Sequence, residues 1–316
     1  MRRRPLPLPA SAAGIAAIWL VLLCVPWLTA SEYWLDTGIA IATFAVLSTG
    51  LNLIYGYAGL LSFAQVAFFG LGGYGAALLV TRLGWSFWLA LPAAAIIATW
   101  AGLLIGYSSL RLSRHAFAIV SLSFALLCGI VARDWVALTR GSMGIPGLSL
   151  PGFDAPAHMY RLTVTVAVIL LLGFHVLLSS RLGRALQAIK LNEPLAQSQG
   201  IDPLRYKLLA ISVSAAASGV MGALFVFHLT IVDPSVFDFY YTETMLIMVI
   251  LGGAGSFWGV IAASAVFSIV PDLLRFSSDL RLTLYGLVLV AAMLLFPGGF
   301  AGMLRQRSLL RWKTRL

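Results

Sequence analysis

Charged side chains are scarce in this sequence: they make up 10% of its 316 residues, whereas soluble globular domains carry about 25%. Hydrophobic residues make up 60% of the chain, and the mean hydropathy is +0.96. The deficit of charge extends over the whole length, which excludes an ordinary soluble domain. The sequence therefore predicts an all-α integral membrane protein in which residues 1–316 form a single membrane domain.

Cysteine and histidine are also too few for several kinds of site. Cys24 and Cys128 lie in apolar runs and have neither metal-ligand spacing nor a disulfide framework, so we interpret them as packing residues. The four histidines share no ligand spacing, and the GxxxxGK[ST], HExxH and GxSxG motifs are absent. We therefore predict no metal site and no P-loop nucleotide site in this chain, and no motif supports an enzyme.

Acidic residues are the scarcer charged class: 11 Asp and Glu stand against 21 Lys and Arg, for a formal net charge of +10. Such an excess raises the question of nucleic acid binding. Here the basic residues lie between hydrophobic runs and at both termini, without interleaved aromatics. The positive-inside rule explains this distribution, so no nucleic acid partner is predicted.

Polar breaks divide the chain into apolar runs, which predict its membrane segments because about 20 apolar residues cross a bilayer. The runs lie near residues 12–30, 37–56, 59–81, 87–109, 115–132, 162–179, 207–229, 244–274 and 280–297. We expect the first run to be a retained span, because no convincing small-residue cleavage site ends it. Its Arg-rich start places the N terminus in the cytoplasm. Residues 133–161 then form a periplasmic loop and residues 179–207 a cytoplasmic loop.

The run 244–274 decides the number of segments. It begins outside, yet the basic tail RQRSLLRWKTRL is expected inside, so the run must return to the face it left. We expect it to turn at Gly252-Gly253-Ala254-Gly255, either as two short helices or as a re-entrant hairpin. Counting the return as two gives about ten membrane segments, within a range of about eight to ten, with both termini cytoplasmic.

Glycines interrupt the stretch NLIYGYAGLLSFAQVAFFGLGGYGAALL, which also holds polar residues. Clustered glycine favours broken or closely packed helices. Broken helices with buried polar groups indicate a substrate site near the membrane midplane. We therefore predict a substrate pathway here and at the glycine turn, formed by Asn52, Gly59, Ser62, Gln65, Gly252, Gly253 and Gly255.

Small residues recur at every fourth position in two later runs. This spacing lets helix backbones approach closely, which is how membrane helices pack. The predicted helix-packing residues are Ala215, Gly219, Gly222, Ala223 and Gly259. The same spacing would also suit a subunit interface or a moving gate.

The polar segment SSRLGRALQAIKLNEPLAQSQGIDPLRYK has the period of two short helices. Leu182, Leu186 and Ile189 share one face of the first helix, whereas Arg184 and Lys190 face the other way. Asn192-Glu193-Pro194 ends this helix and starts a second, which Gly200 closes. Asp202 then caps the next span. The apolar face needs a partner, which is either another subunit or the lipid surface.

Several of these stretches resemble one family. GRALQAIKLNEPLAQSQGID and the following YKLLAISVSAAASGVMGALF are similar to the membrane permeases of branched-chain amino-acid ABC importers, of the LivM type. GYAGLLSFAQVAFFGLGGYGAAL and LIMVILGGAGSFWGVIAASAV match the same family in the same order. The sequence departs from the family pattern at Leu60, Leu191 and Thr139-Arg140-Gly141, whereas Gln65 is one of the two residues that the family commonly has at its position.

The resemblance implies an importer of the bacterial inner membrane. It would combine this chain with a second, LivH-like permease, two ATP-binding subunits and a periplasmic substrate-binding protein. ATP and Mg would be bound by the partners, so this chain would need no cofactor. The cytoplasmic loop 179–207 would couple to the ATPase through Leu182, Gly183, Arg184, Leu186, Ile189, Lys190, Asn192, Glu193 and Gly200, with the apolar residues filling a cleft on that subunit.

Alternatives remain at this stage. Relatives of this kind carry branched-chain or other small hydrophobic amino acids, urea or short-chain amides, so the small-molecule substrate stays open. A self-sufficient secondary carrier or channel is a hypothesis of another class, and it would transport without an ATPase. A membrane enzyme ranks last, because only the lone histidines could supply its chemistry.

Overall fold

The computed structural model describes residues 31–150, 152 and 155–273. The predicted spans 12–30 and 280–297 lie outside the described residues. The helices are α1 Glu32–Asn52, α2 Gln65–Leu83, α3 Phe87–Ser109, α4 Arg114–Asp134, α5 Val136–Thr139, α6 Pro156–Ser179, α7 Arg181–Leu191, α8 Glu193–Ser198, α9 Pro203–Leu229, α10 Phe239–Gly252 and α11 Phe257–Leu273.

Six helices among the described residues are long and apolar enough to cross a membrane: α1 with its extension to Tyr57, α2, α3, α4, α6 and α9. Helices α10 and α11 are apolar but shorter. The prediction of a helical, multi-pass membrane architecture is confirmed.

The bundle has two ends that differ in their contacts. At one end His228, near the end of α9, lies 3.4 Å from the Asp36 carboxylate near the start of α1. At the other end Lys190 of α7 donates to the carbonyl of Gly56, just past the end of α1. We call these the Asp36 end and the Gly56 end. Helices α1 and α9 therefore run antiparallel between them.

A short pair of strands lies at the Asp36 end. Strand β1, Ile145–Pro146, pairs antiparallel with β2, Ile231–Val232, in the register Ile145 to Val232. The all-helical prediction missed this pair, because two residues are too few to show the alternation by which a strand is recognised. The pair ties the loop before α6 to the end of α9.

Helix α9 packs along α2 and α3 through small residues. A Cβ at Gly219 would lie 2.5 Å from the Cβ of Ala98, and one at Gly102 would lie 2.9 Å from the Cβ of Ala215. A Cβ at Gly222 would overlap the carbonyl oxygen of Phe69. Ala223 is buried in the same helix. In a membrane there is no hydrophobic driving force between helices, so close packing of their backbones stabilises the association instead.

Helix α2 begins six residues later than the predicted run 59–81, at Gln65. The residues before it, from Gly59 to Ala64, are not helical. Within them the backbone N–H of Phe63 donates to Ser121 Oγ at 3.0 Å, and that of Ala64 donates to Ser62 Oγ at 3.4 Å. Irregular backbone at membrane depth is tolerated where protein satisfies its polar groups. The predicted break in this helix is thus a non-helical segment before it.

Helices α10 and α11 form a tight hairpin at the predicted glycines. Gly253 and Gly255 have φ values of 93° and 91°, which only glycine adopts readily. A Cβ at Gly252 would lie 2.6 Å from the Cα of Val260 and 2.7 Å from the carbonyl oxygen of Gly259. The two helices therefore meet backbone to backbone directly beyond the turn.

Candidate functional site

A π-helical turn, Leu53–Tyr57, extends α1 at the Gly56 end. In it the N–H of Ala58 donates to the carbonyl of Leu53 at 3.3 Å. Such turns are rare and occur frequently at functional sites. They shift the hydrogen-bond register of the helix by one residue. Here the turn is followed by Gly59 at φ 74°, which ends helical geometry. The turn places the carbonyl of Gly56 within reach of α7.

Asn52 ties α1 to the hairpin turn. Its Oδ1 accepts from the N–H of Gly255 at 2.8 Å, and its Nδ2 donates to the carbonyl of Ser256 at 3.3 Å. The side chain is fully buried. We predicted Asn52 as a pathway residue, whereas both polar atoms of its amide are used inside the chain. The structure gives it the geometry of a positioning residue.

Gly56 fills the space between Asn52 and the hairpin turn. A Cβ there would overlap Asn52 Oδ1 and the backbone nitrogen of Gly255. The α1 extension and the turn can therefore approach this closely only because residue 56 is glycine. The predicted pathway residues Asn52, Gly59, Gly252, Gly253 and Gly255 all lie in or beside this contact.

Gln65 forms a second buried polar cluster, which joins α1, α2 and α9. Its Nε2 donates to Ser218 Oγ at 2.5 Å and to the carbonyl of Leu47 at 3.4 Å, and its Oε1 accepts from Ser214 Oγ at 3.0 Å. Gln65 is fully buried and Ser62 nearly so. The sequence interpretation missed the roles of Ser214 and Ser218, although both stand in the small-residue repeat.

The apolar face of α7 packs against this chain. Leu186 and Ile189 are fully buried, and Leu182 is half-buried against the same core. A Cβ at Gly183 would lie 2.8 Å from the Cα of Leu178, so α7 folds closely back on the end of α6. The prediction that this face is free to fill a cleft on a partner is therefore wrong for Leu186 and Ile189. Amphipathic spacing identifies a buried face but not what buries it.

The exposed surface of α7 and α8 carries different residues. Arg184 is exposed, Leu191 is 87% exposed and Leu195 is 60% exposed. Lys190 was predicted on this polar face, yet its side chain turns inward and its Nζ donates to the carbonyl of Gly56 at 2.7 Å. Leu191, which departs from the family pattern, is thus a prominent surface residue of the loop.

Local caps and one ion pair fix the rest of the loop. Asn192 Oδ1 accepts from the N–H of Leu195 at 3.0 Å, which starts α8. Asp202 Oδ1 accepts from the N–H groups of Leu204 and Arg205, as predicted for a helix cap. Glu193 pairs with Lys207 at 2.6 Å, and the Lys207 side chain is only 7% exposed. Gly200 has φ 80° after α8.

Two cavities lie at the Asp36 end. One, of about 470 Å³, is lined by residues such as Glu32, Asp36, Met159 and His228. The other, of about 410 Å³, adds the aromatic rings of Phe44, Phe225, Tyr240 and Tyr241 to Asp36 and His228. The contact between Asp36 and His228 borders both. Sequence reasoning missed these cavities, because their walls come from five separate helices, α1, α6, α9, α10 and α11, and from the loop before α6.

Within residues 31–150, 152 and 155–273, no group of three or more His, Cys, Asp or Glu side chains could hold a metal ion. The two polar clusters around Asn52 and Gln65 are hydrogen-bonded amides and hydroxyls. They contain no nucleophile paired with a base. The arrangement is suited to holding helices in register rather than to covalent chemistry.

Known proteins with a similar sequence are membrane permeases. The model of the family described as branched-chain amino acid transport system / permease component matches residues 34–296. The high-affinity branched-chain amino acid transport system permease protein LivM of Escherichia coli K12 is 30% identical over 321 residues, covering 92% of this chain and 76% of that protein.

More distant relatives carry related names. The permease protein LivH of E. coli K12 is 25% identical over 286 residues, which covers 83% of this chain and 92% of LivH. The permease protein BraD of Pseudomonas aeruginosa is 26% identical over 291 residues, with the same coverage. No solved structure matches this chain. Because the family model spans well over half of the sequence, the chain belongs to the permease component family of branched-chain amino acid transport systems.

Proposed function

We propose that this chain is a translocation subunit of an ATP-driven importer for branched-chain or other small hydrophobic amino acids. The observation that carries the proposal is the α7–α8 loop, which the chain itself holds rigidly while presenting Leu191 and Leu195 to the surroundings. An apolar residue held on such a surface gains about 1.5–3 kcal/mol when a partner buries it. The partner proposed is an ATP-binding subunit.

The proposed docking surface differs from the one inferred from helical periodicity. It consists of the exposed side of α7 and α8, with Arg184, Leu191 and Leu195, while Leu182, Leu186 and Ile189 form the internal side. Gly183, Lys190, Asn192, Glu193 and Gly200 shape and anchor the loop. The loop would therefore move as one unit, and its backbone would transmit the movement.

The distribution of charge supports the orientation proposed for the bundle. Most Lys and Arg residues of the described chain lie at the Gly56 end, namely Arg111, Arg114, Arg181, Arg184, Lys190, Arg205 and Lys207. The Asp36 end holds most of the acids. The positive-inside rule then places the Gly56 end in the cytoplasm of a bacterial cell, with residues 133–161 in the periplasm. Both termini would be cytoplasmic, with about ten membrane segments in all.

The length of α10 supports a re-entrant hairpin. Its 14 residues extend about 21 Å at 1.5 Å per residue, which is short of the roughly 30 Å hydrocarbon core. The hairpin would thus enter from the periplasmic side and turn near the level of Asn52. The substrate pathway proposed runs past this turn and the non-helical segment Gly59–Ala64, opening at the cavities of the Asp36 end.

The relatives' names support the assembly. LivM and LivH are both named as permeases of branched-chain amino acid transport systems, so a second, LivH-like permease is the proposed membrane partner. Two ATP-binding subunits, which hold ATP and Mg, and a periplasmic substrate-binding protein complete the proposed importer. The chain itself would have no enzymatic activity.

The test is uptake by a reconstituted importer. The assembly is purified in mild detergent through a tag on this chain, placed in proteoliposomes and supplied with ATP on the ATPase side. We expect uptake of leucine that requires ATP and the binding protein. If urea or acetamide is taken up and leucine is not, the substrates are urea or short-chain amides rather than amino acids. Ion-gradient-driven uptake by this chain alone would contradict the proposal and favour a secondary carrier.

A further inference from the structure

Lys190 makes a contact that the docking role of its helix does not explain. It belongs to a short polar helix at the surface of the bundle, where a lysine normally keeps its ammonium in water. Instead its side chain is half-buried and its Nζ donates to the carbonyl of Gly56 at 2.7 Å, across 134 positions of sequence. A hydrogen bond from a charged donor is among the stronger kinds.

The path of the Lys190 side chain is shaped by a glycine. A Cβ at Gly59 would lie 3.0 Å from Lys190 Cγ, and Gly59 has φ 74°. The methylene stem thus lies directly on the backbone that follows the π-helical turn. Residue 59 leaves room for the stem, and the turn presents the carbonyl that receives the ammonium. The space at Gly59 and the carbonyl of Gly56 therefore both accommodate the Lys190 side chain.

Gly56, which accepts from Lys190, also contacts the hairpin turn. It touches both Asn52 and the backbone of Gly255 so closely that no Cβ could be added. Asn52 in turn holds both the N–H of Gly255 and the carbonyl of Ser256. From Lys190 to the hairpin turn there is thus an unbroken series of contacts through Gly56 and Asn52. Each link is a hydrogen bond or a direct backbone contact.

The second lysine of the loop region serves as a contrast. Lys207 of α9 pairs with Glu193 at 2.6 Å, which joins neighbouring elements only 14 positions apart. That pair fastens α8 to the start of α9. The Lys190 contact is the one that joins the loop to the elements flanking the proposed pathway.

We propose that Lys190 is a positioning residue that transmits movement of the ATPase-docking loop to the α10–α11 hairpin, through Gly56 and Asn52. The inference rests on the proposed function, because movement of the loop is taken from ATP-driven transport. Its consequence is specific. Loss of the ammonium should separate ATP hydrolysis from transport, whereas loss of a merely structural contact should lower both together.

The test compares three variants in the reconstituted importer. Lys190→Met keeps the stem and removes the ammonium, Lys190→Arg keeps a donor, and Arg205→Met removes an exposed cation two residues from Lys207. For each, the leucine taken up per ATP hydrolysed is measured. We expect Lys190→Met to lower this ratio about tenfold while ATP hydrolysis stays within about twofold, with partial rescue by Lys190→Arg and no change in Arg205→Met.

A second variant protects the test against a failure of Lys190→Met to assemble. Gly59→Ala retains Lys190 but crowds its stem at Cγ, and it should lower the same ratio by a smaller factor. If uptake and ATP hydrolysis fall in proportion, or if their ratio is unchanged, the inference about Lys190 is wrong while the proposed function stands. A wild-type assembly without ATP-driven uptake would reject the proposed function itself, and the inference with it.

Discussion

The two ends of the bundle are built differently. At the Gly56 end, separate elements are joined by polar side chains that are buried or half-buried: Asn52 contacts the hairpin turn, Lys190 contacts the π-helical turn, and Glu193 pairs with Lys207. At the Asp36 end, a longer contact of 3.4 Å between His228 and the Asp36 carboxylate borders two cavities of about 470 and 410 Å³. We infer from this difference that the Gly56 end moves as a unit, whereas the Asp36 end has room for a solute.

The largest effect that would test this comparison is expected at Gly56. Gly56→Ala introduces a Cβ that overlaps Asn52 Oδ1 and the nitrogen of Gly255, and we expect it to destabilise the protein by about 3 kcal/mol. Gly84→Ala at the Asp36 end is the control. It has φ 65° and nothing within 4 Å of the added Cβ, so it should cost about 1 kcal/mol. Thermal unfolding of both variants in detergent measures the difference, and equal losses would contradict it.

The next effect concerns the buried ion pair of the loop. Glu193→Gln leaves the Lys207 ammonium, at 7% exposure, without its carboxylate, and we expect a loss of about 2 kcal/mol of stability. Asp202→Asn is the matched control, because it breaks the more exposed pair with Arg205 but keeps an oxygen that can cap α9. That variant should lie within about 0.5 kcal/mol of wild type. Thermal unfolding in detergent measures the stability of both variants. A loss of stability in Asp202→Asn larger than that in Glu193→Gln would contradict the prediction.

A smaller effect is expected at the docking surface. Replacing both Leu191 and Leu195 by Ser should reduce recovery of the ATP-binding subunit with the tagged chain at least about tenfold, because two exposed apolar contacts are lost. Met143→Ser, at 86% exposure on the Asp36 end, should leave recovery unchanged. Quantitative pull-down in mild detergent measures both. Normal recovery by the double variant would show that this surface does not bind the ATPase.

The smallest effect is expected for the contact between Asp36 and His228 at the Asp36 end. Asp36→Asn alters a pair in which the carboxylate is largely exposed, so stability should change by less than about 1 kcal/mol. Because Asp36 borders both cavities, the leucine concentration at half-maximal uptake should shift while the maximal rate is kept. A loss of stability comparable with that of Glu193→Gln would remove the contrast between the two ends.

Local chemistry was predictable from the sequence where it depends on nearby residues. The cap at Asp202, the start of α8 at Glu193 and the glycine turn of the hairpin follow from short-range rules, and the structure shows each of them. The positions of the six described spans follow from apolar length, apart from shifts at their ends. These features require no knowledge of what lies across the bundle.

Contacts between distant elements were not predictable in the same way. The contact of Asn52 with Gly255 spans 203 positions and that of Lys190 with Gly56 spans 134. Periodicity placed Leu186 on an apolar face, but in a membrane protein such a face can meet lipid, another subunit or its own chain. For the same reason polar residues in a span could indicate either a pathway or a tie between helices. Only the geometry distinguishes the two for Asn52.

The proposed coupling requires that α7 and the hairpin turn move as one body. Spin labels at Gln187 and Ala254, both exposed, would report their separation in the assembled importer, with Cys24 and Cys128 replaced by serine. We expect one narrow distance distribution that is the same without nucleotide and with ATP, and that broadens in Lys190→Met. A separation that changes with ATP while Lys190 is present would contradict it.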